Sequence, residues 1–303
     1  MKITRIERDP TKQAGTRRRV MANIRRRLKG AYIDIRALTN DLPAEIITNK
    51  VSYTYDLDDL RMMTIDQRIR EIINTWFETQ TDGKPARFFF DPYVGASYAM
   101  GTEDSIDRTA RLAAMAGYST ADLSQLDVEQ IYSSGIYRRR VELVFGRVFN
   151  EMKGFSGDTA TDLARVLSQV VANGDSPRVA QKLIRDRFRV ADSRAERIAR
   201  TEINRAYNVA RSEQAEDTSV RLKIDVRLVH RSSLVPSTRV WHAQRHGNVY
   251  TKAEQREWWD TGSNRINCLC SVSEIVYDKD GKPFDDGIIK KMKAQKKVWF
   301  PSR

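Results

Sequence analysis

The sequence predicts a mainly α-helical body with a small C-terminal α+β module and basic terminal arms. Three observations lead there. Apolar residues recur at threes and fours through much of the first 215 residues, the period of helices with one buried face. Near residue 220 that period gives way to alternation, with Leu222, Ile224, Val226 and Leu228 separated by polar residues, as in a half-buried strand. Positive charge is gathered at the ends of the 303-residue chain. Residues 1–36 carry 12 Lys and Arg against 3 Asp and Glu, a net +9; residues 281–303 carry 7 against 2, a net +5; the stretch between them nets −1.

The elements follow in order. Residues 11–40 hold the triplets Arg17-Arg18-Arg19 and Arg25-Arg26-Arg27 with Val20, Ile24, Leu28, Ala31 and Ile35 between and beyond them. This is an amphipathic helix with a strongly basic polar face, capped by Asp9 or Thr11. Its apolar stripe must bury itself against the body or a partner. Residues 41–56 read as extended and loop-like, and 57–79 as a helix carrying Ile65, Ile69, Ile72, Ile73 and Trp76. A turn is expected at Thr81–Pro85. The aromatics of 86–101 (Phe88, Phe89, Phe90, Tyr93, Tyr98) read as helix-packing core rather than a base-stacking platform, because Glu103, Asp104 and Asp107 follow.

Successive helices are expected over 120–215. Ser119 to Ala121 would cap one. Tyr137 to Phe149 mark a second, broken by Gly154 to Gly157. Thr159 opens a third that Gly174 closes, Pro177 starts a fourth, and Ser193 with Glu196 has capping-box spacing for a fifth. Beyond the first strand, Val240 and Trp241 suggest a short second one. Thr251 and Glu254 have capping-box spacing for a helix bearing Trp258 and Trp259, and Cys270 to Tyr277 suggests a further strand. The expected division is a basic helical arm (1–40), a helical body (41–218), an α+β module (219–280) and a basic tail (281–303).

Composition narrows the function. A charged share of 31% against an apolar share of 40% suits a helix-rich protein with much solvated or partner-facing surface. No stretch approaches the roughly 20 apolar residues of a membrane span, and MKITRIERDP lacks the apolar core of a signal peptide. The basic helix lacks the Trp and Phe expected of a membrane-surface helix. The two cysteines, Cys268 and Cys270, are too close for an ordinary structural disulfide and fit a reducing cytoplasm. Basic ends on a neutral body read as arms for polyanions, non-specific double-stranded DNA first. The contact residues would be Arg17, Arg18, Arg19, Arg25, Arg26 and Arg27 at one end and Lys290, Lys291, Lys293, Lys296 and Lys297 at the other.

Two blocks carry a family resemblance. The first, Val171 to Ala215, holds Ala199, Arg200, Thr201, Glu202, Asn208 and Ala210. The second, Arg239 to Cys270, holds Arg239, His242, Gly247, Trp258, Asn267, Cys268 and Cys270. Their order and spacing resemble the phage Mu F-like minor head proteins of phage head morphogenesis, although Leu269 stands where members often have Arg. The resemblance implies a non-enzymatic virion protein of a tailed phage, assembled in the bacterial host cytoplasm. It would sit in the capsid interior or at the portal vertex and act in procapsid assembly and DNA packaging. It would meet the portal protein, the major capsid or scaffolding protein and packaged DNA, and in some members travel with that DNA.

The chemistry-bearing residues leave alternatives open. Arg200 and Glu202 are expected to tie their helix to the α+β module through charge pairs, since no nucleophile, base and orienting group accompany them. His242, His246, Cys268 and Cys270 form an acceptable tetrahedral zinc set. The other reading is that no cofactor is bound, the cysteines packing beneath Trp258 and Trp259 with His242 hydrogen-bonded as a packing residue. A His-Asn-His nuclease could use His242, His246 and Asn267 but lacks the acidic ligand beside the first histidine. A phage-delivered enzyme domain has no room, with 26 residues after Tyr277.

Overall fold

A computed structural model describes residues 9–40, 44–47, 52–55, 59–77, 89–119, 127–278 and 280–300. The expected turn at Thr81–Pro85, Phe88, and most of the cap at Ser119–Ala121 lie outside them. In chain order the elements are α1 (Ala14–Asn40), β1 (Ala44–Ile47), β2 (Ser52–Tyr55), α2 (Asp59–Phe77), α3 (Asp91–Met115), α4 (Val128–Ser133), α5 (Gly135–Asn173) and α6 (Pro177–Leu222). They continue with β3 (Asp225–Arg231), α7 (Val240–Gln244), β4 (Val249–Tyr250), α8 (Lys252–Asp260), β5 (Ser271–Tyr277) and α9 (Gly287–Trp299). The protein is a mainly helical body with a small C-terminal α+β module, as its periodicities require. No helix among the described residues is long and apolar enough to cross a membrane.

The chain forms two compact units, each made of separate segments. One comprises residues 18–91 and 146–199. Here α1 buries the stripe Val20, Ile24, Leu28, Ala31 and Ile35, so the apolar face that needed a partner finds it within the chain. Ile69, Ile73 and Phe77 of α2, Met152, Phe155 and Leu163 of α5, and Ile184 and Phe188 of α6 supply the rest of the core. The hairpin β1–β2 is antiparallel. It is fastened to the α5–α6 turn by Tyr53 N–H donating to the Gly174 carbonyl and the Tyr55 hydroxyl donating to that of Asp175. Gly174 has φ +64°, the left-handed C-cap its sequence position suggested.

Two expected helix breaks are absent. α5 runs through Gly154 to Gly157 and Thr159 without interruption. Its apolar stripe continues in phase as Val148, Met152, Phe155, Leu163 and Val166, while Ser156 and Thr159 donate back to the carbonyls four residues earlier. Both glycines lie on the exposed face with open space at their Cβ positions, so burial of the opposite face outweighs a propensity cost of about 1 kcal/mol each. Likewise Ser193 and Glu196 do not start a helix: α6 is continuous across them, with Ala191, Ala195 and Ala199 buried in series.

The second unit comprises residues 1–17, 92–145 and 200–303 and contains the module. Its sheet has the order β4-β3-β5, all antiparallel, with Val229 opposite Ser273. One face carries Val226, Leu228, Val272 and Val276 into a core with Ala215, Leu222, Ile131, Leu112 and Trp259. The other carries Val229 and Ile275 against Met292 of α9. Leu222 closes α6 rather than opening a strand. Val240 and Trp241 belong to helix α7, not a strand; two residues are too short a run for alternation to outweigh the turn that Arg239 caps.

Candidate functional site

The motif residues meet where α6 crosses the segment entering β5. Four side chains on one stripe of α6, spaced three, four and three residues apart, engage that segment in order. Thr201 Oγ1 accepts from the Asn267 backbone N–H at 2.9 Å. Asn204 Nδ2 donates to the Cys268 carbonyl at 2.6 Å, and Asn208 Nδ2 to the Cys270 carbonyl at 3.0 Å. Arg211 then grips Glu274 of β5 with a two-pronged ion pair, both side chains buried. Burial works against the Arg211 charge, yet Glu274 holds its pKa above the ordinary arginine value. The carbonyls at 268 and 270 precede the regular ladder, so side-chain amides supply the donors they need.

This seam explains several sequence signals and exposes others that were missed. Asn267 has φ +55°, a conformation asparagine tolerates better than most residues. Glu202 is buried within the second unit, and Arg200 lines a cleft there. A buried charge pair between this helix and the module is that of Arg211 with Glu274. Its signal was a lone acid inside the apolar strand SVSEIVY, on the same face as Val272 and Val276. Asn204, equally missed, also accepts from Arg17 at 2.7 Å and from Thr11 at 3.3 Å, drawing the start of the chain into the same network.

Beside the seam lies the histidine–cysteine cluster. His242 Nδ1 is 3.4 Å from both Cys268 Sγ and Cys270 Sγ. One donor atom from each residue falls within 4.8 Å of the others, which makes His242, Cys268 and Cys270 a His/Cys/Cys set of metal-binding type. His246 is not part of it. Its Nδ1 accepts from the Ser232 N–H at 2.9 Å and its Nε2 faces Gln295 of α9 at 3.2 Å. Burial lowers its pKa to about 4. His230 faces Gln255 and stacks edge-on to Trp258, so it does not complete the set either. Among the described residues, three donors therefore stand where a closed zinc site takes four.

Arg239 fixes the chemistry of the cluster. Its guanidinium donates to His242 Nε2 at 3.1 Å and to the carbonyls of Ser263 and Ile266. A guanidinium can only donate, so Nε2 accepts and the hydrogen of the neutral ring is on Nδ1, pointing at the sulfurs. That tautomer does not offer Nδ1 to a metal while Arg239 holds this place. Instead the ring donates to sulfur. A hydrogen bond from the Cys270 thiol, reinforced by His242, pulls the Cys268 thiol well below its ordinary pKa against the cost of burial. The same bond, with burial, pushes Cys270 well above. Trp258 packs edge-on against the His242 ring at 4.8 Å.

Gly247 has φ +76°, and a Cβ there would sit 2.9 Å from Met292 Cβ and 3.0 Å from the Lys293 nitrogen. The motif glycine thus lets α9 lie directly on the loop. Lys296 is spent on that contact, donating to the Gln244 carbonyl, whereas Lys290, Lys291, Lys293 and Lys297 are exposed. The arginine triplets divide similarly. Arg17 pairs with Asp9, Arg25 with Asp192, and Arg27 donates to the Trp76 carbonyl. Arg18, Arg26, Lys29 and Arg36 line an outward stripe of α1.

Residues 161–273 match the family model described as Phage Mu protein F like protein, a span of 113 of the 303 residues that takes in all of α6 and ends within β5. No curated protein and no solved structure gives a match. The segment that holds the Thr201–Asn267 seam and the Arg239–His242 pair is thus similar to the phage Mu F-like family of phage head morphogenesis.

Proposed function

We propose that this chain is a minor structural component of a tailed-phage head, built in at the portal vertex during procapsid assembly and acting without catalysis. The observation that carries this reading is what the family segment is made of. Its seam residues Thr201, Asn204, Asn208 and Arg211 hold backbone carbonyls, a backbone N–H and a buried carboxylate rather than a solvent-facing group. A nuclease would need His242 or His246 available to a metal or to water. His242 is locked between Arg239 and two sulfurs, and His246 beneath α9. In this reading the His242, Cys268 and Cys270 cluster works as a metal-free knot, with zinc the alternative.

Partners follow from surface charge. The outward stripe of α1 spans residues 18–36, about 27 Å of helix, and fits a run of phosphates on packaged DNA. The exposed lysines of α9 supply a second basic patch for DNA or for an acidic portal, capsid or scaffold surface. The test is to omit the chain from an assembling head and complement it with variants. Loss of head assembly or infectivity, restored by wild type but reduced by Arg18→Glu with Arg26→Glu, is the expected result. Normal heads without the chain, or magnesium-dependent DNA cleavage by the purified protein that His242→Ala abolishes, would overturn the proposal.

A further inference from the structure

We infer that the exposed edge of α5 carrying Ile136 and Leu143 is a self-docking surface, on which a second copy of this chain lays its own α5 antiparallel about a twofold axis. The inference does not rest on the assembly role.

Three features carry it. The first is an apolar strip open to water. α5 buries Val144, yet Ile136 is 58% exposed and Leu143 70%. Seven residues apart, the two lie on one line of the helix, about 10 Å from each other. Val220 of α6, 73% exposed, continues the patch, since it and Ile136 line one cleft of about 220 Å³. Single exposed apolar residues are ordinary, but three grouped on one surface mark an interaction site. The second feature is charge. Arg138 is committed to the Ser133 carbonyl at 2.6 Å, and Arg140 to Asp217 at 2.7 Å. Arg139 and Glu142 are both exposed and make no ion pair or hydrogen bond among the described residues. One charge of each sign is thus left over beside the strip. Such a strip complements a copy of itself better than it complements a uniformly acidic or basic partner.

The third feature is register. A twofold axis crossing α5 midway between Arg139 and Arg140 sets Ile136 against Leu143 of the second copy, and Leu143 against its Ile136. Helical side chains lean toward the N-terminus of their own helix. Arg139 therefore reaches toward the level of Ile136, which in the antiparallel copy is the direction of Glu142. The twofold makes each contact twice, two apolar pairs and two ion pairs. A parallel pairing would set Arg139 on Arg139 and Glu142 on Glu142, so the charges select the antiparallel arrangement.

The experiment is sedimentation equilibrium of the full chain over a concentration series at moderate salt. The patch is small, so the dimer should be weak, with a Kd on the order of 10–100 µM. Ile136→Asp with Leu143→Asp should leave a monomer whose circular-dichroism melt is unchanged. Arg139→Glu should raise the Kd about three- to tenfold. Adding Glu142→Arg should restore it, because the swapped strip meets its own copy with both signs reversed. Ile136→Cys with Leu143→Cys should form an interchain disulfide on mild oxidation, and neither single variant should. If the charge variants fail to fold, this cross-link decides the register. A wild-type chain that stays monomeric throughout the series overturns the inference and leaves the strip to a different protein. A dimer that survives both aspartates overturns it as well, as do single-cysteine variants that cross-link as readily as the pair.

Discussion

The two halves of α6 bury different inner faces, the first wholly apolar and the second with apolar residues such as Ile203, Ala206 and Ala210 interleaved with polar ones. From Pro177 to Ala199 the buried positions are Ala180, Ile184, Phe188, Ala191, Ala195 and Ala199, an apolar stripe in a helical core. From Arg200 to Leu222 the buried positions include Glu202, Asn204, Asn208, Arg211, Gln214 and Thr218. The first half is held by area removed from water, which tolerates exchange of one apolar side chain for another. The second is held by named donors on named carbonyls, where each loss strands a buried partner. The family segment spans both, but its distinctive residues lie in the second half. A polar seam fixes one register of helix against strand, whereas an apolar stripe fixes only a face.

That contrast predicts unequal responses to substitution. Glu274→Ala should cost about 3–5 kcal/mol, because it leaves the Arg211 guanidinium buried without its carboxylate. Ile184→Ala, in the apolar half, should cost about 2–4 kcal/mol through its cavity. Denaturant melts of the two proteins compare them directly. Equal and small losses would mean that the seam is no more specific than the stripe.

Acid should weaken the module before the helical unit. His246 titrates near pH 4 when folded, held down by burial, against about 6.5 unfolded. Between those values the unfolded chain binds a proton that the folded chain refuses. Stability is therefore full above pH 6.5 and falls as the pH drops toward 4, by about 3 kcal/mol at the lower end. Burial depresses His230 in the same direction. Tryptophan fluorescence, with Trp258 and Trp259 reporting on the module, should shift over this window, and His246→Gln should flatten the response. A smaller effect is expected at the amides: Asn208→Ala should cost about 1–3 kcal/mol by leaving the Cys270 carbonyl without its side-chain donor, measured by the same melts.

How much of this was legible in the sequence follows the same division. The helices of the apolar half could be read because a stripe such as Val20, Ile24, Leu28, Ala31 and Ile35 announces both the element and its buried face. The capping box at Thr251 and Glu254 was equally readable, since it is a local bond pattern that the structure reproduces. The false breaks at Gly154 and Ser193 arose where local signals were outweighed by a core that continues in phase beneath them. The site was only half visible. Its members could be found by composition, because histidines and cysteines are few and crowded between residues 230 and 270. Their connections could not. Nothing local shows that His246 turns toward α9 while His242 turns toward sulfur, or that Arg211 waits for Glu274 63 residues later. The basic ends were the hardest to read, because charge alone does not separate Arg17, which holds Asn204, from Arg18, which faces outward.

The most direct test of the seam is a double-mutant cycle on Arg211→Met and Glu274→Leu, followed by equilibrium unfolding. Each single change should cost about 3–5 kcal/mol, and the pair together far less than the sum, a coupling of about 2 kcal/mol or more, because the double variant buries no lone charge. Losses that add to within about 0.5 kcal/mol would show that Arg211 and Glu274 do not act as one unit, and that the motif helix is not held to the module by this seam.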